Sequence, residues 1–352
     1  MRISVPTIPT AVLSAASTAG RITPSAAVER IAEFLAPGNV ATITGAGVSV
    51  DSGIRAYRGA KGRYLNPNYK PIFYQELVDP TEKGFAFRQR YWLRSYLGYH
   101  PVRDALPNTT HYALGALQYS TVINKLITQN VDGLHHKALA HVWDPSYTSQ
   151  KILELHGSLH KVQCNHGHVV DRNTFQDRLS AANPQWKAYM DELEATGTRP
   201  RTNPDGDVVL EGVEYESFNV PECPSCLLED RRNSIHKPEL IFFGESIRQE
   251  VRERSYLDIE TCDRLFLVGT TLATYSAFRL LKHALELKKP VLMLNVGPTR
   301  ADPLPGLEKI ELPSGLVLRD VVRTVLGSKA TEDPIVHNML NGGVVQPPPE
   351  DE

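Results

Sequence analysis

Three stretches of this sequence carry residue types that can do chemistry, and a fourth can hold a metal. Thr44-Gly45-Ala46-Gly47-Val48-Ser49-Val50-Asp51-Ser52-Gly53 lets the backbone turn tightly and approach a phosphate, because glycine has no Cβ to obstruct either. Gln129-Asn130-Val131-Asp132-Gly133 sets amides, which donate and accept, beside a carboxylate that only accepts. His156-Gly157-Ser158 offers an imidazole, which titrates near neutrality and so suits removal of a hydroxyl proton. Cys164 and Cys223-Pro224-Ser225-Cys226 lie in a segment with several histidines and read as a metal staple. Each has a plainer alternative: a simple turn, an Asp132 that caps the helix carrying Leu134 and Ala138, a satisfied core histidine, or a module without metal.

The elements that must position these residues are legible from apolar patterning. Short, partly β-branched runs at Val40–Thr44, Val122–Thr128, Ile152–Leu155, Leu240–Phe243, Leu265–Val268 and Val291–Leu294 predict buried parallel strands. Helical spacing predicts a helix after Thr23-Pro24-Ser25, and further helices over Thr110–Leu117 and Ala277–Leu287. The alternation predicts an α/β fold built on a doubly wound parallel sheet, in which side chains just past strand C-termini face a ligand crevice. The glycine loop follows the first strand, yet Val50 stands where the ordinary dinucleotide fingerprint has its third glycine, which argues against a common dehydrogenase.

With 352 residues, 38 Lys+Arg against 40 Asp+Glu and a formal charge of -2, the chain has room for a large core and lacks the basic footprint of a nucleic-acid binder. Four cysteines are too few for a secreted disulfide framework, which points to a reducing compartment. No apolar run approaches the roughly 20 residues of a membrane span. The first acidic residue is Glu29, and the acid-free, Ser- and Thr-bearing start with Arg2 and Arg21 is like a mitochondrial transit peptide.

Five motifs in order resemble the sirtuin family: Gly45-Ala46-Gly47-Val48-Ser49 with Ser52-Gly53-Ile54, Thr128-Gln129-Asn130-Val131-Asp132-Gly133-Leu134-His135, Leu155-His156-Gly157-Ser158, Phe242-Phe243-Gly244-Glu245, and Val268-Gly269-Thr270-Thr271-Leu272. Arg90-Tyr91-Trp92-Leu93-Arg94, Asn203-Pro204-Asp205-Gly206-Asp207-Val208 and Asn295-Val296-Gly297-Pro298-Thr299-Arg300 look like the class II branch, which contains the mitochondrial sirtuin-4-like proteins. The resemblance implies an NAD-dependent protein-lysine deacylase in the mitochondrial matrix, with acylated-lysine proteins as partners, a Rossmann-like sheet and a structural zinc (Zn2+). NAD is consumed: the acyl oxygen attacks C1′ of the nicotinamide ribose, nicotinamide leaves, and a histidine, here His156, deprotonates a ribose hydroxyl. Asn130 and Asp132 would complete the catalytic set. Gly45, Ala46, Gly47, Ser49, Gly53, Tyr57, Arg58, Gln129, Gly269, Thr270, Thr271, Asn295 and Val296 would bind NAD, and Phe243, Gly244 and Glu245 would offer backbone to an extended peptide.

The resemblance also implies a division of the chain: a transit-like start over 1–24, a nucleotide domain over 25–69, 105–160 and 236–328, a helical insertion over 70–104, a zinc module with a class II loop over 161–235, and a flexible tail over 329–352. Two departures matter. The family carries Pro-Asp after the Gly-Ile of its cofactor loop, where this chain has Arg55-Ala56 before Tyr57-Arg58. Its zinc site has four cysteines, whereas here Gly167 takes the fourth position, and His166, or else His168, would complete a Cys₃His set. Tyr91 and Arg94, one helical turn apart, could read an acyl carboxylate or simply pack as an aromatic–cation pair. Relatives imply lipoyl, biotinyl or dicarboxylic acyl removal over strong deacetylation. Mono-ADP-ribosyl transfer and a weakly catalytic NAD sensor are the alternatives.

Overall fold

The computed structural model describes residues 5–14, 22–57, 71–197, 205–208, 210 and 213–348. Its centre is a six-stranded sheet of β1 (Val40–Thr44), β2 (Ile123–Thr128), β3 (Ile152–Glu154), β7 (Arg264–Val268), β8 (Val291–Leu294) and β9 (Leu307–Ile310) in the order β3-β2-β1-β7-β8-β9, with every pairing parallel. All five residues of β1 and all four of β8 are buried, which explains their continuous apolar or β-branched character: helices cover both faces.

One face carries the helices Pro24–Leu35, Thr109–Tyr119, Ser314–Leu326 and Pro334–Asn341, and the other carries Gln249–Glu260 and Tyr275–Glu286. The first helix starts where the Thr23 side chain accepts from the Ala26 N–H and Pro24 takes the first turn. Its Ala27, Ile31, Phe34 and Leu35 form one buried stripe.

A second body is built on β4 (Gly157–Cys164), β5 (Val169–Asp171) and β6 (His236–Leu240), an antiparallel sheet in the order β5-β4-β6. The long helix Glu82–Asp104 packs with the helices Arg172–Ala182 and Pro184–Thr196 around Trp92, Tyr96, Phe175 and Phe218. Arg172 is fully buried there, its guanidinium 4.6 Å from the Tyr99 ring and 5.1 Å from that of Trp92, while Nη2 donates to the Ser95 carbonyl at 3.1 Å. Aromatic faces thus replace part of the water this cation loses.

Three expectations need correction. Leu240–Phe243 is not a strand of the main sheet: β6 ends at Leu240, and residues 241–245 cross the ligand cavity instead. The strand Leu307–Ile310 has no apolar run to reveal it, because it lies at the sheet edge and carries the charged Glu308 and Lys309 between Leu307 and Ile310. The stretch 329–352 is not a loose tail up to Gln346: helices Lys329–Glu332 and Pro334–Asn341 bury Ala330, Val336, Met339 and Leu340 in the main core. Asp333 caps the second of them through the Ile335 and Val336 N–H groups.

Among the described residues no helix is long and apolar enough to cross a membrane. Because Leu340 is 3% exposed in the main core, Leu340→Ala should destabilise the protein by about 2–5 kcal/mol in denaturant unfolding. A loss under about 0.5 kcal/mol would mean that this helix does not share the core.

Candidate functional site

The strand order turns outward on both sides of the β1–β7 pair, so the loops after these strands part and leave a crevice. The loops first cross at very close range. Gly45 N–H donates to the Val268 carbonyl at 3.3 Å and Gly47 N–H to that of Gly269 at 2.9 Å. A Cβ on Gly47 would stand 2.7 Å from the Gly269 oxygen, and Gly269 itself has φ +58°. Glycine is therefore required on both sides of the crossing.

The crevice widens into a cavity of about 710 Å³. Of the residues expected to bind NAD, Gly45, Ala46, Gly47, Ser49, Tyr57, Gln129, Gly269, Thr270, Thr271, Asn295 and Val296 line it. Gly53 lies in the turn below with φ +83° and does not line it, and Arg58 lies outside the described residues.

His156, Asn130 and Asp132 all line the same cavity, brought together by the ends of β2 and β3. The buried Ser49 hydroxyl donates to Asp132 Oδ2 at 2.7 Å and accepts from Asn130 Nδ2 at 3.0 Å. His111 Nε2 lies 3.4 Å from the same hydroxyl, and burial lowers the His111 pKa to about 4. Asp132 Oδ1 also accepts from the Leu134 N–H at 3.0 Å, so the carboxylate is held at the start of the helix Leu134–Leu139, whose N-cap is Gly133, and Asp132 lines the cavity.

His156 Nδ1 lies 3.2 Å from the Gln129 carbonyl and Nε2 2.8 Å from Ser276 Oγ. A carbonyl can only accept, so Nδ1 carries the proton and Nε2 presents a lone pair that accepts from the serine. Burial lowers the pKa of this imidazole to about 4, while the Gln129 contact opposes the shift. The histidine is therefore neutral at physiological pH, with its basic nitrogen against Ser276 in the cavity lining.

Phe243, Gly244 and Glu245 line the cavity, but the chain itself already uses part of them. The Phe243 carbonyl accepts from the Tyr74 N–H at 2.9 Å, and the Gly244 carbonyl from Gln75 Nε2 at 3.2 Å. The Glu245 carboxylate accepts from the Phe242 N–H and pairs with Lys237 at 2.9 Å.

Tyr91 and Arg94 are not presented to the cavity. Tyr91 is buried edge-on against Trp92 and Phe242, and desolvation raises its hydroxyl pKa. Arg94 donates to the Val208 carbonyl at 2.7 Å and pairs with Asp207 at 2.6 Å. That pair fixes the segment whose Asp205 does line the cavity. Sequence reading also passed over Ser276 and Thr274, whose hydroxyl donates to Gln129 Oε1 at 3.0 Å. They stand at the start of the helix Tyr275–Glu286, six and eight residues past the end of β7, beyond the reach of the strand-end rule that located Thr270.

In the second body His168, and not His166 as expected, joins the three cysteines in a cluster that could hold a metal. Cys164, His168, Cys223 and Cys226 place their ligand atoms within 4.8 Å of one another. Cys164 and Cys226 sulfurs are 3.7 Å apart, and His168 Nδ1 lies 3.3 to 3.6 Å from the three sulfurs. A tetrahedron with Zn–S of about 2.3 Å and Zn–N of about 2.0–2.1 Å demands separations of about 3.8 and 3.5 Å, so the donor set fits zinc. The turn between β4 and β5 decides between the histidines: Cys164 N–H donates to the His168 carbonyl at 3.0 Å, which folds His168 back onto the sulfurs and leaves His166 exposed. His168 Nε2 meets Glu229 at 3.1 Å, an outer carboxylate that orients the ring.

A parallel sheet with a glycine crossing at its switch point, a neutral histidine in the crevice and a second body carrying a Cys₃His cluster define a nucleotide-binding α/β enzyme. Residues 45–276 match the Sir2 family, and the chain belongs to it. It is accordingly an NAD-dependent protein deacylase of the sirtuin type. The chain is 41% identical over 293 residues to NAD-dependent protein deacylase SIR4 of Batrachochytrium dendrobatidis, covering 82% of this chain and 90% of that one. It is 36% identical over 268 residues to the NAD-dependent protein lipoamidase sirtuin-4, mitochondrial, of Bos taurus, covering 76% of each. Its fold is shared with the crystal structure of a Sir2 homologue in complex with NAD, with a TM-score of 0.59, 22% identity, and coverage of 89% of this chain and 97% of that one.

Metal analysis of protein prepared without a His-tag should find about one zinc per chain in His166→Ala and well under half an equivalent in His168→Ala. Equal loss in both would return the fourth ligand to doubt.

Proposed function

We propose that this sirtuin removes lipoyl, biotinyl or dicarboxylic-type acyl groups from protein lysines more readily than acetyl groups, within the mitochondrial matrix. The single observation that carries the catalytic part is the His156 geometry: a neutral imidazole lining the cavity, with Nδ1 held by the Gln129 carbonyl and Nε2 facing Ser276, which lines the same cavity. When NAD binds as co-substrate, it supplies the ribose hydroxyl and the leaving nicotinamide.

The protein's own groups have distinct tasks. The glycine loop after β1, whose Gly45 and Gly47 N–H groups are committed to the crossing, has no side chain there to keep its backbone from the pyrophosphate. Asn130 and Asp132, locked by Ser49, hold the nicotinamide end, where a carboxylate suits the carboxamide NH₂. Gly269, Thr270, Thr271 and Asn295 meet the adenosine half. His156 Nε2 takes the ribose proton. Phe243, Gly244 and Glu245 receive the peptide backbone, and Gln75 must leave the Gly244 carbonyl for that.

One observation supports the acyl preference: the bovine relative is named a lipoamidase. The matrix assignment is supported by the acid-free start and by that relative's being named mitochondrial. Arg94, whose charge is paired with Asp207, does not serve as the reader of a dicarboxylic acyl group.

A panel of peptides carrying acetyl, succinyl, methylglutaryl, lipoyl and biotinyl lysine, followed by mass for nicotinamide and acyl-ADP-ribose, tests this directly. Acetyl-lysine as the best substrate would reject the proposed preference. His156→Ala should abolish turnover while leaving thermal unfolding near wild type, and retained cleavage would remove the histidine from its role.

The pH profile carries an independent sign. A pKa lowered to about 4 leaves the base unprotonated above that value, so the acid limb of kcat/KM should fall well below 6.5. A His-dependent limb at 6.5 or higher would contradict this picture of the site.

A further inference from the structure

The cofactor loop lacks the Pro-Asp pair of its family pattern, having Arg55-Ala56, yet its base is gripped from outside by the end of the chain. After the helix Pro334–Asn341 the backbone runs back along the loop. The Gly342 carbonyl accepts from Arg319 Nη2 at 2.7 Å, Val344 N–H donates to the Pro107 carbonyl at 3.1 Å, and Gln346 N–H donates to that of Asp51 at 2.7 Å. Val344 pairs with Asn108 and Gln346 with Ser52 as parallel bridges. Asn108 in turn donates its side-chain amide to the Val48 carbonyl at 2.8 Å. The same strap therefore holds both ends of residues 48–52.

The sequence favours this path. Gly343 has φ +93°, and a Cβ on it would stand 2.6 Å from the Thr109 nitrogen. Gln346 precedes Pro347, which biases it toward the extended backbone that strand-like pairing needs. Within the loop, by contrast, the bonds from Ser52 and Ile54 N–H to Ser49 and from Gly53 N–H to Val50 span at most five residues. Such turns open readily unless packing restrains them. Asp51, Ile54, Ala56 and Tyr57 line the cavity, so the restraint acts directly on its wall.

We propose that residues 342–346 are a tether that fixes Asp51–Gly53 and so sets the protein's grip on the nicotinamide half of NAD, compensating for the missing Pro-Asp. The tether touches no substrate; it is a positioning element. The inference rests on the proposed function and takes residues 51–57, four of which line the cavity, as a cover over bound NAD.

Gln346→Pro deletes the N–H given to Asp51, whereas Gln346→Ala retains it. In the full-length enzyme Gln346→Pro should raise KM for NAD about fivefold over Gln346→Ala, with kcat within about twofold, and speed nicotinamide exchange into NAD. A chain stopped after Asn341 should shift the same way. A merely structural strap would lower the active fraction and leave KM unchanged. Hydrogen exchange supplies a second readout: the amides of Ser52, Gly53 and Ile54 should exchange faster in Gln346→Pro, in the absence of NAD. Equal KM and equal exchange in the two Gln346 variants would overturn the tether. Failure of NAD to protect amides 51–57 in the wild-type protein would instead overturn the cover reading, and the tether with it.

Discussion

The closeness of two backbones at the switch point governs the rest of the site. Gly47 meets the Gly269 carbonyl at hydrogen-bond distance, with no space for a side chain on either strand's loop. With the β1 and β7 loops locked together, Ala46 to Ser49 forms a short 3₁₀ turn whose Ser49 hydroxyl points at Asp132 and Asn130. Widening that crossing by one methyl group would displace both the phosphate-facing backbone and the hub of the buried polar network.

That network is coherent because its members are satisfied without placing opposed charges in the core. The Ser49 hydroxyl donates to Asp132, accepts from Asn130 and also meets His111, and the desolvated His111 and His156 are held neutral. The Gln129 carbonyl assigns the His156 proton to Nδ1, so the orientation of one backbone group selects the tautomer with a usable Nε2 lone pair. The preparation of the base is thus a property of the β2 and β3 ends rather than of the histidine alone.

The second body shows how remote residues shape the cavity wall. Arg94 sits in a helix and Asp207 lies 113 positions later, yet their pair and the Val208 carbonyl contact hold the segment that delivers Asp205. An arginine that looked suited to an acyl carboxylate has its charge engaged by the protein itself. At the metal cluster a similar substitution of roles holds: the turn after β4, rather than the spacing of Cys-x-x-Cys, chooses which histidine joins the three sulfurs.

The sequence by itself determined the parallel sheet, the glycine loop after its first strand, and the grouping of Asn130, Asp132 and His156, because these follow from local patterning and from the rule that strand C-termini face the crevice. Its order of motifs also pointed to the family. Only the tertiary structure decided His168 over His166, set Ser276 against His156, turned Arg94 away from the cavity, and drew the C-terminal strap onto Asp51. The physical reason is that each of these is a choice among chemically equivalent partners made by contacts between distant segments, or by the path of one turn. Residue type and spacing say what a group can do; only the packed chain says which neighbour it meets.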